Sequence, residues 1–375
     1  TQLGASIKAS TAPNQTHNLK IHQASFHETS EPLDAGNSGT TLRLLTGFLA
    51  SQPFFTTISG DSSLRKRPMG RIIEPLTKMG ASIVGKSNNT LAPLKISGQQ
   101  LTGIEYHMPI ASAQVKSAIL LAGLFANGKT IVHQPLDSRN HTELLLESMG
   151  ASIAVDDLMI SIESKGELQA CDITIPGDIS AASFWLVAGT IHPNAKITLA
   201  GVGANPSRIQ FIQTLQAMGA QIKMNPHTHL NQKEPVCDLT VESSDLRAIS
   251  IGKELIPGLI DEIPALALAA SFAEGISTIE DAGELRFKES DRIKTTVSEL
   301  SKLGASIREL PNGISISGKE KLAGAVCSSH GDHRIAMMAA IAGLLSSGET
   351  VIQEAESASV SDPTFWKRID EIQSS

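Results

Sequence analysis

Ser112-Ala113-Gln114-Val115-Lys116-Ser117-Ala118-Ile119-Leu120-Leu121-Ala122-Gly123-Leu124-Phe125-Ala126-Asn127 carries a single charge in sixteen residues. Val115, Ala118, Ile119 and Ala122 stand at i, i+3, i+4 and i+7, the period of an α-helix. So few polar groups beyond the first turn suit a helix buried on most sides. A Thr/Ile/Val-rich strand follows at Lys129–His133, and then Met149-Gly150-Ala151-Ser152-Ile153 reads as a helix end passing into a further strand.

Both halves of this pattern recur. Helix-ending glycines flanked by Leu or Met and by Ala stand at Gly4, Gly80, Gly150, Gly219 and Gly304, about 70 to 85 residues apart. Glycine suits the left-handed conformation that closes a helix, and Ile72–Met79 and Thr296–Leu303 show helical spacing just before it. Small-residue apolar helices begin near Ser38, Ser112, Asp178, Asp261 and Asp332, with strands expected after them at Ser277–Glu280 and Glu349–Ile352. A period this long exceeds a solenoid turn and fits a repeated βα-rich subdomain. Pro176-Gly177-Asp178 opens a new unit, so the expected domains are 1–175 and 176–375. From each buried helix to the next terminator is roughly 40 residues, yet the chain opens on Gly4 with no such helix before it. By analogy with that spacing, and with Thr1 in place of methionine, a leading segment of roughly 40 or more residues is expected upstream.

Composition narrows the function. A chain of 375 residues with 41% apolar and 18% charged residues suits two globular domains, as does a mean hydropathy of +0.01. Its longest apolar stretches, Ala118–Ala126 and Ile263–Ala273, are too short for a bilayer, and no secretory signal pattern opens the chain. Cys171, Cys237 and Cys327 are widely spaced with no CxxC, which excludes a disulfide scaffold and a zinc ribbon and makes a reducing cytoplasm the expected compartment. A net charge of −7 with 3% aromatic residues argues against nucleic-acid binding. No Walker A, HExxH, GxSxG or Cys/His metal pattern is present.

The helix starts carry polar groups, and a helix N-terminus attracts phosphate and carboxylate. Asp34-Ala35-Gly36-Asn37-Ser38-Gly39-Thr40 offers backbone donors with Arg43 a turn further on; taken alone, helix capping is the more ordinary reading. Arg65-Lys66-Arg67-Pro68-Met69 places three cations before a helix, with Pro68 suited to the first helical position and Arg67 aimed at the entrance; a solvated face is the alternative. Ser112-Ala113-Gln114 is either a cap with a surface glutamine or a ligand site. Asp261 is either a helix cap or a general base. In Lys288-Glu289-Ser290-Asp291-Arg292 a helical reading sets Lys288 and Arg292 on one face with Glu289 beside them, unless the run is an ordinary salt-bridged surface. Asp332-His333-Arg334 opens a nearly uncharged helix, and a cation there opposes the helix dipole unless an anion compensates. Together these predict a small, multiply anionic ligand held between two domains.

These motifs, in this order, resemble the 3-phosphoshikimate 1-carboxyvinyltransferase (EPSP synthase) family from Thr1 to about Phe365. The motifs are Gly36-Asn37-Ser38-Gly39-Thr40-Thr41-Leu42-Arg43, Leu64-Arg65-Lys66-Arg67-Pro68-Met69, Ser112-Ala113-Gln114-Val115-Lys116-Ser117-Ala118, Lys288-Glu289-Ser290-Asp291-Arg292 and Asp332-His333-Arg334. The resemblance implies an α/β protein of two domains, each of three βαβαββ-type units with buried parallel helices inside a ring of sheets (an inside-out α/β barrel), with helix N-termini at an interdomain cleft. It implies transfer of the enolpyruvyl group of phosphoenolpyruvate to the 5-hydroxyl of shikimate 3-phosphate with release of phosphate, by a cytoplasmic monomer using no cofactor.

Carried over by position, Asp261 resembles the base at the 5-hydroxyl and Glu289 the group handling the methylene proton. Gly39, Arg67, Gln114, Arg292 and Arg334 match phosphoenolpyruvate contacts. Ser112, Ala113, Gln114, Asp261 and Lys288 match the shikimate 3-phosphate site, with Arg139 as a further cation there. The family's leading segment, with its Pro-Gly-Ser-Lys-Ser-type motif, supplies a lysine, a serine and an arginine; a chain without it is expected to fold but to be catalytically crippled. Pro363-Thr364-Phe365 stands where some members have a lysine, so no contact is assigned there. Ser112-Ala113-Gln114 resembles the form that includes glyphosate-tolerant members, whereas Gly39 is the small residue of glyphosate-binding sites, and tolerance stays open. Rival readings are the UDP-N-acetylglucosamine enolpyruvyl transferases, which usually carry a reactive cysteine in the first domain, an RNA-end-processing relative, and a repeat-built binding protein.

Overall fold

The glycines that mark helix ends in the sequence, Gly4, Gly80, Gly150, Gly219 and Gly304, all have φ between 80° and 110°. Only a residue without Cβ adopts that conformation at little cost, so each turns the chain sharply out of a helix or turn into the next strand. The computed structural model describes residues 2–11, 17–22, 25–228, 232–319 and 321–373. The chain divides into two compact units, Thr1–Cys171 and Asp172–Ser375; the sequence places this division near residue 175.

The first unit opens with an antiparallel hairpin, β1 (Ser6–Thr11) and β2 (His17–His22). Then come β3 (Leu33–Asp34), α1 (Gly39–Leu49), β4 (Phe55–Ser59), α2 (Gly70–Lys78), β5 (Ser82–Gly85), the short turn α3 (Lys86–Asn89) and β6 (Leu91–Ser97), with strand order β3-β4-β6-β5. The plan repeats in β7 (Glu105–His107), α4 (Ala113–Gly123), β8 (Lys129–His133), α5 (His141–Ser148), β9 (Ser152–Asp156) and β10 (Met159–Glu163), ordered β7-β8-β10-β9. In each, the first two strands pair in parallel across a buried helix and the rest pair antiparallel. A parallel pair needs a long crossover and a hairpin does not, which gives the βαβαββ order.

The second unit follows the same plan. Its first sheet holds α6 (Ile179–Ile191), β11 (Lys196–Gly203), α7 (Gln210–Ala217), β12 (Gln221–Pro226) and β13 (Val236–Glu242), with the opening strand reduced to a parallel bridge between Gly177 and Val202. Next come β14 (Ser250–Ile251), the short α8 (Ile256–Leu259), α9 (Ile263–Ser271), β15 (Ile276–Ile279), α10 (Arg292–Lys302), β16 (Ser306–Leu310) and β17 (Gly313–Ser317), ordered β14-β15-β17-β16. Last are β18 (Val326–Ser328), α11 (His333–Leu345), β19 (Val351–Gln353), parallel to β18, and α12 (Phe365–Gln373). Described residues thus show two repeats in each unit, preceded in the first unit by a hairpin and followed in the second by a βαβ half-repeat.

The buried helices form the cores. Every residue of α9 is buried, as is most of α6 and α11. Four of the five start where the sequence places a polar cap, with side-chain oxygens of Ser38, Ser112, Asp178 and Asp332 accepting from backbone N–H groups of the first turn. The exception is α9. Its cap is Glu262, which makes no capping bond, and Pro264 in the first turn removes one of the N–H groups a cap would serve. Asp261 is therefore not the helix cap.

In the first unit α1 and α4 touch at Gly47, where an added Cβ would lie 2.1 Å from the carbonyl oxygen of Ala118. Backbone cannot yield as a side chain can, so Gly47→Ala should push the helices apart and cost about 1–3 kcal/mol. Urea unfolding will show this as a lower midpoint for the first unit, and an unchanged midpoint would mean that the contact is not close in solution.

Candidate active site

In the first unit the starts of α1 and α4 lie side by side, joined by one glutamine. Gln114 donates from Nε2 to Thr40 Oγ1 at 2.7 Å, and its Oε1 accepts from the guanidinium of Arg43. Arg43, only 8% exposed, also donates to the Pro68 carbonyl at 3.3 Å. Gln114 is thus neither a surface residue nor a cap but a strut between two helix entrances. Ser112 caps α4 and Ala113 begins it.

Arg67 donates from Nη2 to Asn37 Oδ1 at 2.9 Å, and Asn37 in turn donates to Asp61 at 2.8 Å. Burial would raise the Asp61 carboxyl, but the Leu64 N–H, Asn37 and the nearby Arg67 charge hold it below its ordinary value. Of the three adjacent cations Arg67 is half-buried, while Arg65 and Lys66 are exposed. The helical placement of Pro68 needs correction. A 3-10 turn at Leu64–Lys66 precedes Arg67, which is extended, and α2 starts only at Gly70 behind Met69. What aims Arg67 is the Asn37 side chain, not a helix start. Gly39 makes room for both guanidinium groups, since a Cβ there would stand 2.9 Å from Arg43 Nη1 and 3.5 Å from Arg67 Nη1.

Lys116, fully buried, pairs with Glu143 at 2.6 Å and donates to the Ser138 carbonyl at 3.2 Å. Its charge is engaged inside the fold, and it ties the loop between β8 and α5, which carries the half-buried Arg139, to the first turn of α4.

The second unit gathers the other expected residues around Arg292, 1% exposed. Its Nε donates to Asp332 at 2.8 Å, Nη2 to Glu289 at 2.5 Å, and Nη1 to Asp261 at 3.4 Å. Lys288 Nζ reaches the same oxygen of Asp261 at 3.1 Å. The expectation that Lys288 and Arg292 share a helix face is overturned: α10 begins at Arg292 with Asp291 as cap, and Lys288 is extended at the end of a 3-10 turn, Gly283–Phe287. The two cations meet because both grip one carboxylate.

Arg334 donates from Nη1 to the Asp261 carbonyl at 2.8 Å and lies 3.8 Å from Glu262. The anions that compensate this cation at a helix start are the protein's own, Glu262 and the capping Asp332. Burial, with Arg334 beside it, pushes the His333 imidazole below its ordinary value, so it adds no cation near neutral pH.

Sequence reasoning missed Arg208 and Glu262. Glu262 is fully buried and accepts from Arg208 Nη2 at 2.6 Å and from Ser180; Arg208 also donates to Ser180 Oγ at 2.7 Å. A signal for Arg208 did exist. Arg67, Arg139, Arg208 and Arg292 each stand at or just before an outer helix, roughly a dozen residues ahead of a terminator glycine.

Glu299 on α10, also fully buried, accepts from Lys302, from the Ser328 N–H at 2.9 Å and from His330 at 2.8 Å, anchoring the loop that delivers Asp332. For Asp332, burial works to raise the carboxyl, but Arg292 outweighs it and leaves the pKa below 3.8. For Glu299 the same contest is decided by Lys302, His330 and the Ser328 N–H, below 4.5. Depressed carboxyls stabilise the fold fully above their unfolded pKa values and lose that contribution as pH falls through the folded ones. Asp332→Asn should therefore lower unfolding free energy at neutral pH by about 3–5 kcal/mol, by stripping a partner from buried Arg292. It should also flatten the loss of stability on acidification; denaturant titrations at several pH values will check both, and an unaltered acid slope would contradict the assignment.

Comparison with known proteins gives the family. The family model described as EPSP synthase (3-phosphoshikimate 1-carboxyvinyltransferase) matches residues 1–369. A 3-phosphoshikimate 1-carboxyvinyltransferase of Bacillus thuringiensis (strain Al Hakam) is 49% identical over 347 residues, covering 92% of this chain and 81% of that protein. One from Desulforudis audaxviator is 50% identical over 345 residues, covering 92% and 80%. A solved EPSP synthase from Acinetobacter baumannii superposes with a TM-score of 0.86 at 39% identity, over 99% of this chain and 85% of that one. With the motifs, the repeated fold and relatives at half identity in agreement, the chain belongs to the EPSP synthase, or 3-phosphoshikimate 1-carboxyvinyltransferase, family.

Proposed function

We propose that this chain transfers the enolpyruvyl group of phosphoenolpyruvate to the 5-hydroxyl of shikimate 3-phosphate, with Asp261 as the base and Glu289 as the group that protonates the methylene carbon. The observation that carries this reading is one guanidinium, Arg292, in contact with both carboxylates. Asp261 is held by Lys288, Arg292 and, through its carbonyl, Arg334, so its carboxylate is fixed as a proton acceptor. Glu289 shares Arg292 while no anion is bound. A phosphate or carboxylate arriving on Arg292 competes with Glu289 for the same donors and removes its neutralising partner, which favours the protonated acid.

The chemistry then balances. Glu289 gives a proton to the enol methylene, the adjoining carbon becomes electrophilic, and the hydroxyl attacks it as Asp261 takes the hydroxyl proton. Phosphate then leaves and Glu289 takes back a methyl proton, forming the enol ether, while the proton on Asp261 departs with the phosphate or to water. Phosphoenolpyruvate contacts are assigned to Gly39, Arg67, Gln114, Arg292 and Arg334, and shikimate 3-phosphate contacts to Ser112, Ala113, Gln114, Arg139, Asp261 and Lys288. Fixed guanidinium groups suit both the bound anions and the phosphate that leaves.

The reading extends to a monomer in the cytoplasm. Each unit has its own apolar core, the three thiols are free, and burial pushes that of Cys327 up to about 11. Among the described residues no helix is long and apolar enough to cross a membrane.

Phosphate release from phosphoenolpyruvate with shikimate 3-phosphate, followed alongside calorimetric titration of each substrate, tests the assignment. In the complete protein, Asp261→Asn and Glu289→Gln should each lower turnover about 10²–10⁴-fold while binding changes little. Arg334→Ala should raise the apparent constant for phosphoenolpyruvate roughly 10- to 100-fold, the worth of one or two charge-assisted bonds. Near-normal turnover in both carboxylate variants would remove them from the chemistry.

A further inference from the structure

The parallel pair β7 and β8 carries a second polar constellation on its outer face. Tyr106 and Val132 point into the core, so their neighbours Glu105, His107 and His133 stand on the opposite, solvent side. Register sets His107 directly across from His133, with ring centroids 4.2 Å apart and 5° between planes. Glu105, two residues before His107 and therefore on the same face, places Oε1 at 2.9 Å from His133 Nε2 and 3.8 Å from His107 Nε2. One ligand atom from each residue lies within 4.8 Å of the other two.

We propose that Glu105, His107 and His133 form a surface site for a divalent zinc-class ion. Two imidazole nitrogens and a carboxylate oxygen are a donor set suited to Zn²⁺, and three protein ligands leave a fourth position open to water. Oxygen-seeking Mg²⁺ and Ca²⁺ fit it poorly. The backbone under all three residues is held by the strand ladder, and the side chains of Glu105 and His107 are 60% and 74% exposed, so the rings are free to turn out of their parallel stack and bring both Nε2 atoms toward one ion. Without metal, Glu105 and His133 are joined by a hydrogen bond at 2.9 Å; the ion takes the place of that bond. None of the three residues is among those assigned to the enolpyruvyl reaction, so this site does not depend on that assignment.

Calorimetric titration of the chelator-stripped chain with Zn²⁺ tests it, with Mg²⁺ as the contrasting ion and thermal unfolding as a second readout. One equivalent of Zn²⁺ should bind and raise the melting temperature, whereas Mg²⁺ should do neither. His107→Ala and His133→Ala should each weaken Zn²⁺ binding at least about tenfold, and the double variant should lose both the heat and the thermal shift, while His192→Ala changes nothing. Because these residues lie on the surface, unchanged unfolding of the metal-free variants will show that the fold is intact. Absence of stoichiometric binding, or binding that survives in the double variant, would overturn the proposal.

Discussion

A single buried guanidinium organises the second unit. Arg292 brings a full charge into a site almost closed to water, a loss of hydration that only close carboxylates offset. Asp332, Glu289 and Asp261 supply them from three separate segments, so Arg292 fixes where those segments meet. Asp332 spends its other bonds capping α11 and accepting from Ser290, which ties the ion pair to the start of a core helix. Arg208 and Glu262 repeat the device at the mouth of α9, and Glu299 with His330 and Lys302 repeats it on the outer side of α10. Residues assigned to chemistry are held by the same bonds that hold the helices.

The two units divide the electrostatic work. At the helix starts of the first, the groups around Arg43 and Arg67 include neutral amides, hydroxyls and carbonyls: Gln114, Asn37, Thr40 and Pro68. Acceptors of this kind align a guanidinium without cancelling its charge. In the second unit, cations are met by carboxylates, which cancels charge but places groups able to take and give protons beside the arginines. The first arrangement keeps charge on the arginines, and the second sets proton-exchanging groups beside them.

The repeat explains how so many polar groups come to stand at helix mouths. Each unit needs a helix buried on nearly all sides, and such a helix can be polar only at its ends. Its N-terminus, with unpaired N–H groups, is therefore where serine, aspartate and glutamine collect. The outer helix that follows is preceded by an arginine each time, so a cation returns once per repeat. Where the repeat leaves a sheet face to solvent, as at β7 and β8, no such rule applies, and the histidine pair there owes its geometry to strand register alone.

By itself the sequence determined the elements that depend on neighbours in the chain. Terminator glycines, buried helices and four of five caps follow from spacing and from backbone conformations that few residues adopt, and each is found where the letters place it. The family resemblance likewise rests on short motifs read in order. Tertiary structure alone decided which charges meet. Lys288 and Arg292 look like helical neighbours in the sequence but are brought together by Asp261; Pro68 looks like a helix start but lies before α2, which begins at Gly70. Glu105 and His107 met His133 only when β7 paired with β8. Helix propensity and turn chemistry act over a few residues, whereas an ion pair or a shared carboxylate joins groups separated by a whole crossover, and its geometry is set by how sheets and helices pack.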